Sequence, residues 1–132
     1  MQAVQRDALN RLGKLLAVAC FVEIATGLAM LLATADVVRL LLGTAAVGLA
    51  LALGRAFGIA ILALGLACWP SGREASAAGR AWRGMLAYNA MIAAYLAWVG
   101  FAHTGGLLLW PAVLLHAAMV LLLILAARQD SR

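Results

Sequence analysis

Few side chains in this sequence could do chemistry, and the most unusual of them is Glu23. From Leu15 to Ala33, every residue other than Glu23 and Thr26 is apolar or glycine. An ionised carboxylate at the centre of a lipid-facing helix costs about 2.5–3.5 kcal/mol on insertion scales. The Glu23 side chain is therefore expected to be neutral, to have a polar partner, or to face a cavity between helices.

The composition explains why so few other candidates exist. Of the 132 residues, 67% are hydrophobic and 11% are charged, whereas soluble domains carry about 25% charged residues. The sequence therefore predicts an all-α polytopic membrane protein with one integral domain over residues 1–132, whose solvent is the lipid bilayer. The net charge of +5 comes from basic residues at the ends of apolar runs. No basic stretch is interleaved with aromatic residues, so no nucleic-acid partner is expected.

The hydrophobic runs predict four membrane spans, at about 12–33, 49–69, 84–101 and 107–127. Residues 36–48 are predicted to form a short interfacial or re-entrant helix between helices 1 and 2, and 71–83 a polar loop. An alternative with five spans places a tight turn at Gly54-Arg55. With four spans, eight of the ten Lys and Arg residues lie on one side, and only Arg39 and Arg55 on the other. The positive-inside rule favours this four-helix bundle, with both termini and loop 71–83 in the cytoplasm.

Counting from the ends of the spans gives each polar residue a depth. Glu23 and His116 fall near the midplane, Asn89 in the inner half, and Tyr95 and Arg55 in the outer half. These five residues form the predicted ligand or proton site, although Arg55 could equally extend its side chain toward the interface.

Three interpretations of this site stay open. A carboxyl group and an imidazole at one depth can share a proton, as in intramembrane proton relays. A polar cluster between helices also suits a small amphipathic ligand. Alternatively, the polar contacts only hold helices together, at about 0.6–2 kcal/mol each.

Other kinds of chemistry find little support. There is no nucleophile elbow, phosphate loop, HExxH sequence or pair of acids, so an enzyme is not expected. A membrane enzyme acting on lipid or quinone is the less favoured alternative. Cys20 and Cys68 lack CxxC spacing and are expected to be small buried hydrophobes. No metal site or cofactor is predicted, and haem is disfavoured because His103 and His116 lie on one hairpin.

Two stretches carry a family resemblance. Gly54-Arg55-Ala56-Phe57-Gly58-Ile59-Ala60-Ile61-Leu62-Ala63-Leu64-Gly65 through Trp69 is the first, and Tyr88-Asn89 with Gly106-Leu107-Leu108-Leu109-Trp110-Pro111 and His116 is the second. Together they resemble small four-helix bacterial membrane proteins of the DoxX-like group. The resemblance implies a four-helix fold in the bacterial inner membrane and no particular activity.

The sequence around Glu23, Phe21-Val22-Glu23-Ile24-Ala25-Thr26-Gly27, is similar to the first helix of small multidrug-resistance transporters. Those chains have very short loops and weak charge bias, and this chain departs from both features. The similarity therefore bears only on the role of Glu23.

The sequence thus predicts a small inner-membrane protein with a polar midplane pocket. This pocket would bind a small amphipathic ligand or couple protons to transport. The alternative is a non-catalytic accessory or structural subunit of a larger membrane complex. A row of small residues at Ala46, Ala50, Gly54 and Gly58 permits close helix approach, either within the bundle or in a homo-oligomer.

Overall fold

The computed structural model describes residues 2–70, 75–102 and 105–130, and side chains within 11–70, 79–102 and 105–128. His103 and positions 71–74 of the predicted loop lie outside these ranges. The described chain is helical, without strands, in the order α1 (Gln2–Leu32), α2 (Thr34–Leu42), α3 (Leu49–Ala67), α4 (Ala75–Ala102) and α5 (Leu109–Asp130).

Four of these helices are long and apolar enough to cross a membrane. Their candidate spans are Arg11–Leu32, Leu49–Ala67, Gly79–Ala102 and Leu109–Arg128. Large apolar side chains cover the outside of the bundle, and Leu32, Phe101 and Leu107 are each 82% exposed. A surface of this kind suits lipid rather than water. The predicted helical fold with four apolar spans is confirmed.

One helix decides between the two predicted arrangements, and two other boundaries differ from those expected. Helix α3 continues through Gly54 and Arg55, so the turn required by the five-span alternative is not formed. Helix α4 begins at Ala75, within the predicted loop, because the alanine-rich segment favours a helix despite its polarity. The short helix α2 spans Thr34–Leu42, whereas 36–48 was predicted, and Gly43 follows it with a φ of 80° that suits a glycine.

Helices α1 and α3 pack antiparallel through glycines. A Cβ atom at Gly27 would lie 2.6 Å from the backbone nitrogen of Leu62, and one at Gly58 would lie 2.9 Å from the carbonyl oxygen of Gly27. We call this contact the glycine seam. Of the predicted row of small residues, Gly58 faces α1, and Gly54 lies against Thr34 of α2 and Met30 of α1. Ala46 precedes α3, and Ala50 is exposed on it.

Helices α4 and α5 form an antiparallel hairpin that also packs against α1. The indole nitrogen of Trp82 on α4 donates a hydrogen bond to the carbonyl oxygen of Leu123 on α5, at 2.9 Å. Two apolar clusters fill the hairpin and its contact with α1. The larger holds Leu16, Met85 and Leu123 among others, and the smaller holds Leu96, Val99 and Leu109. Along both helices, the candidate site lies between these clusters.

The loop before α5 is attached to α2 by backbone atoms. The backbone N–H groups of Gly106 and Leu108 donate to the carbonyl oxygens of Leu41 and Leu40, at 2.9 and 2.8 Å. The last carbonyls of a helix have no partner within it, so these bonds cap α2 from outside. They join two segments of the chain at the same end of the bundle, the end opposite the described chain termini.

Candidate functional site

Three polar side chains from three helices meet inside the bundle. They are Glu23 on α1, Asn89 on α4 and His116 on α5, and we call them the polar layer. Their exposed fractions are 1%, 1% and 8%, so the surrounding helices exclude solvent and lipid from all three. The structure therefore brings together three of the five residues of the predicted site.

Asn89 sets the orientation of the imidazole. Its amide nitrogen donates to the backbone carbonyl of Met85 at 2.9 Å, one turn earlier on α4. The amide oxygen consequently faces His116, and its distance to Nδ1 is 2.8 Å. Because an amide oxygen only accepts hydrogen bonds, Nδ1 carries a hydrogen and donates it. The other ring nitrogen, Nε2, is the one left to gain or lose a proton.

Glu23 lies beside this hydrogen bond. Its Oε1 is 3.9 Å from Nδ1 of His116, close enough for charge interaction but too long for a hydrogen bond. Its Oε2 is buried and has no hydrogen-bond partner among the described residues. A buried carboxyl oxygen without a partner is costly, and protonation of the carboxyl group removes most of that cost.

Tyr88 completes the surroundings of the pair, and sequence reasoning did not place it in the site. Its ring meets the imidazole of His116 edge to face, with centroids 6.0 Å apart and planes at 83°. It also interacts with the carboxyl group of Glu23. Its position in the sequence could have indicated this, because Tyr88 is the neighbour of Asn89. Tyr95 lies six residues after Asn89, about 9 Å along the helix axis.

The other two predicted site residues lie elsewhere. Tyr95 is 55% exposed and stacks near Trp98 on the outer surface, with ring centroids 6.1 Å apart. Arg55 is exposed on α3, which packs mainly on α1 and α2. Neither side chain contributes to the polar layer.

The sequence of α4 explains which of its residues face inward. Buried residues recur at Met85, Asn89, Leu96 and Val99, and Ile92 packs against the smaller cluster. These spacings of three, four and seven keep one stripe of the helix toward its neighbours. Asn89 replaces one apolar member of that stripe, and Tyr95 falls outside it.

The donor set limits what the polar layer can hold. Within the described ranges, no group of three or more His, Cys, Asp and Glu side chains could bind a metal ion. The carboxyl group of Glu23 and Nε2 of His116 can each gain or lose one proton, while Nδ1 keeps its hydrogen for Asn89. The arrangement is therefore suited to proton storage or transfer.

Known proteins give no direct guide to this arrangement. No family model, curated protein or solved structure was found to match the chain.

Proposed function

We propose that the polar layer holds an exchangeable proton and couples it to transport across a bacterial inner membrane. The observation that supports the proposal is the placement of Glu23. Its carboxyl group is buried 3.9 Å from His116, and one of its oxygens has no partner among the described residues. A purely structural contact would be expected to satisfy both oxygens.

A proton fits the polar layer better than an amphipathic ligand does. The three side chains bury one another, and the 2.8 Å bond between His116 and Asn89 closes the contact between α4 and α5. An amphipathic molecule would have to separate these helices to reach Glu23. A proton needs only a lone pair, on Oε2 of Glu23 or on Nε2 of His116.

The proposal includes an orientation and a location. Both termini would be cytoplasmic, because the four-span arrangement places eight of ten basic residues on that side. Helix α2 would lie at the opposite interface. Its exposed Asp36 and Arg39 form an ion pair at 3.0 Å that suits the headgroup region.

Infrared spectroscopy of the purified protein, recorded from acid to alkaline pH, tests proton exchange at Glu23. We expect a protonated-carboxyl band that disappears reversibly as the pH rises and is absent in Glu23→Gln. Nitrogen chemical shifts of His116 should change over the same pH range. The matched control Tyr95→Phe alters an exposed polar residue of α4 and should leave the band unchanged.

Reconstitution in vesicles then tests transport. An imposed pH gradient should decay at least about tenfold faster with the wild-type protein than with Glu23→Gln. A carboxyl group that keeps one protonation state across the whole range would overturn the proposal and leave Glu23 a packing residue. Equal gradient decay in the two proteins would reject coupling to transport. Slower decay on addition of an amphipathic amine would instead favour a ligand site.

A second candidate function is that of an accessory subunit, and the surface of α3 favours it. This helix packs on α1 and α2, and its remaining surface carries Arg55 among small and apolar residues. An exposed arginine within a span suits a partner that supplies an acidic group. Purification from native membranes in mild detergent tests the accessory role. A stoichiometric partner protein that is lost in Arg55→Leu would support this role, and purification without any partner would oppose it.

A further inference from the structure

A second group of functional side chains lies one helical turn from the polar layer. It contains four sulfur atoms, from Cys20 on α1, Cys68 at the end of α3, Met85 on α4 and Met119 on α5, and we call it the sulfur layer. All four residues are buried and belong to one continuous core cluster. Both cysteines are free thiols.

The register of the helices places three of these residues at one depth. Cys20 precedes Glu23 by three residues, Met85 precedes Asn89 by four, and Met119 follows His116 by three. Helix α5 runs opposite to α4, so each step leads to the same end of the bundle, over about 4.5–6 Å. Three helices that meet in the polar layer therefore meet again in the sulfur layer.

Cys68 reaches the same place from α3. The carbonyl oxygen of Cys20 lies 2.9 Å from where a Cβ atom at Gly65 would be, one turn before Cys68. The Cys68 sulfur would lie 3.4 Å from a Cβ atom at Gly84, the neighbour of Met85. Cys68 is also an ionisable neighbour of Cys20. The fourth sulfur thus closes the group between α1 and α4.

We propose that the sulfur layer binds a single Cu(I) ion, with Cys20 and Cys68 as thiolate ligands and Met85 and Met119 as thioether ligands. Thiolate and thioether sulfurs are soft donors that select Cu(I) over hard cations. The site is distinct from the polar layer and does not require proton transfer there.

Binding replaces S–H by S–Cu at each cysteine. The two protons pass to the buffer, and copper remains in the +1 state, so no oxidant or reductant is consumed. Methionine adds donors without adding charge, which suits a site surrounded by apolar helices. The surrounding leucines, including Leu16 and Leu123, exclude water from it.

Anaerobic titration of the purified protein with Cu(I), in competition with a chromophoric chelator, tests the proposal. We expect one Cu(I) per chain, released on acidification as the thiols regain their protons. Cys20→Ser and Cys68→Ser should each weaken binding at least about tenfold, and Met85→Leu several-fold. X-ray absorption of the loaded protein should show only sulfur in the first coordination shell.

The controls separate a site from general loss of structure. Met30→Leu changes a buried methionine toward the other end of α1 and should leave the affinity unchanged. Met85→Leu and Met119→Leu conserve volume, so they should preserve the fold even if a cysteine variant does not. Glu23→Gln should still bind Cu(I), which makes this test independent of proton transfer. Two further variants combine Met85→Leu with Met119→Leu and Cys20→Ser with Cys68→Ser. Copper binding that is unaltered in either of them would overturn the proposal, as would a wild-type protein that binds no Cu(I).

Discussion

Toward α3, helix α1 presents glycine and bare backbone, whereas toward α4 and α5 it presents the carboxyl group of Glu23. In the glycine seam, Gly27 and Gly58 let two backbones touch, with no room for a side chain between them. On the adjoining face of α1, Glu23 meets Asn89 of α4 and His116 of α5 in the space between the three helices. Lipid supplies no hydrophobic force between helices, so close packing holds the first contact and polar interactions support the second. The comparison teaches that one helix can join its neighbours in two ways, by backbone contact toward α3 and by buried polar side chains toward α4 and α5.

The largest expected effect comes from breaking the glycine seam with Gly58→Ala. The added carbon would lie 2.9 Å from the carbonyl oxygen of Gly27, so the backbones must separate. We expect a loss of about 1–3 kcal/mol in the free energy of unfolding, measured by denaturant titration in detergent. Gly13→Ala is the control, since no atom lies within 4 Å of the added carbon. Equal stability of the two variants would show that the seam tolerates separation.

Asn89→Leu sharpens the comparison from the polar side. The substitution removes the 2.8 Å hydrogen bond to His116 and leaves a buried imidazole without that acceptor. We expect a loss of about 0.6–2 kcal/mol in the free energy of unfolding, in the same assay. The nitrogen shifts of His116 should also change, because Nδ1 no longer has its fixed acceptor. The control Tyr95→Phe should alter neither measurement, and unchanged shifts in Asn89→Leu would contradict the assigned tautomer.

Trp82→Phe gives the smallest expected effect. It removes one hydrogen bond within the hairpin, from the indole nitrogen to the carbonyl oxygen of Leu123, while an aromatic ring remains in the core. The expected cost is about 0.5–1.5 kcal/mol of unfolding free energy. Trp69→Phe alters an exposed indole and serves as the control. A Trp82→Phe loss larger than that of Gly58→Ala would show that the α4–α5 hairpin contributes more to stability than the glycine seam.

The four spans could be predicted because each depends on a long apolar run, which length and composition reveal directly. Counting along those runs gave Glu23 and His116 a shared midplane depth and placed Asn89 in the inner half. Which side of each helix faces inward was harder to predict, because the residues that face the bundle and those that face lipid are nearly all apolar. Tyr95 was therefore placed in the site, and Tyr88, which adjoins Asn89, was not.

The sulfur layer shows the same limit more sharply. Cys20 and Cys68 are 48 positions apart and lack any ligand spacing. Only the antiparallel register of α1 and α3, set by contacts between their glycines, brings them into one cluster with Met85 and Met119. The pattern of apolar residues predicts where the helices lie, but the backbone contact between α1 and α3 determines which residues of the two helices come together.

The attachment of the α5 loop to α2 has a consequence for how the chain can change over evolutionary time. Its two hydrogen bonds use only backbone atoms of Leu40 and Leu41, so mutation can exchange those side chains for other apolar ones without loss. Gly106 has no such freedom, since a Cβ atom there would lie 2.2 Å from the carbonyl oxygen of Leu40. Among sequences descended from a common ancestor, we therefore expect glycine to be invariant at position 106, while positions 40 and 41 vary among apolar residues.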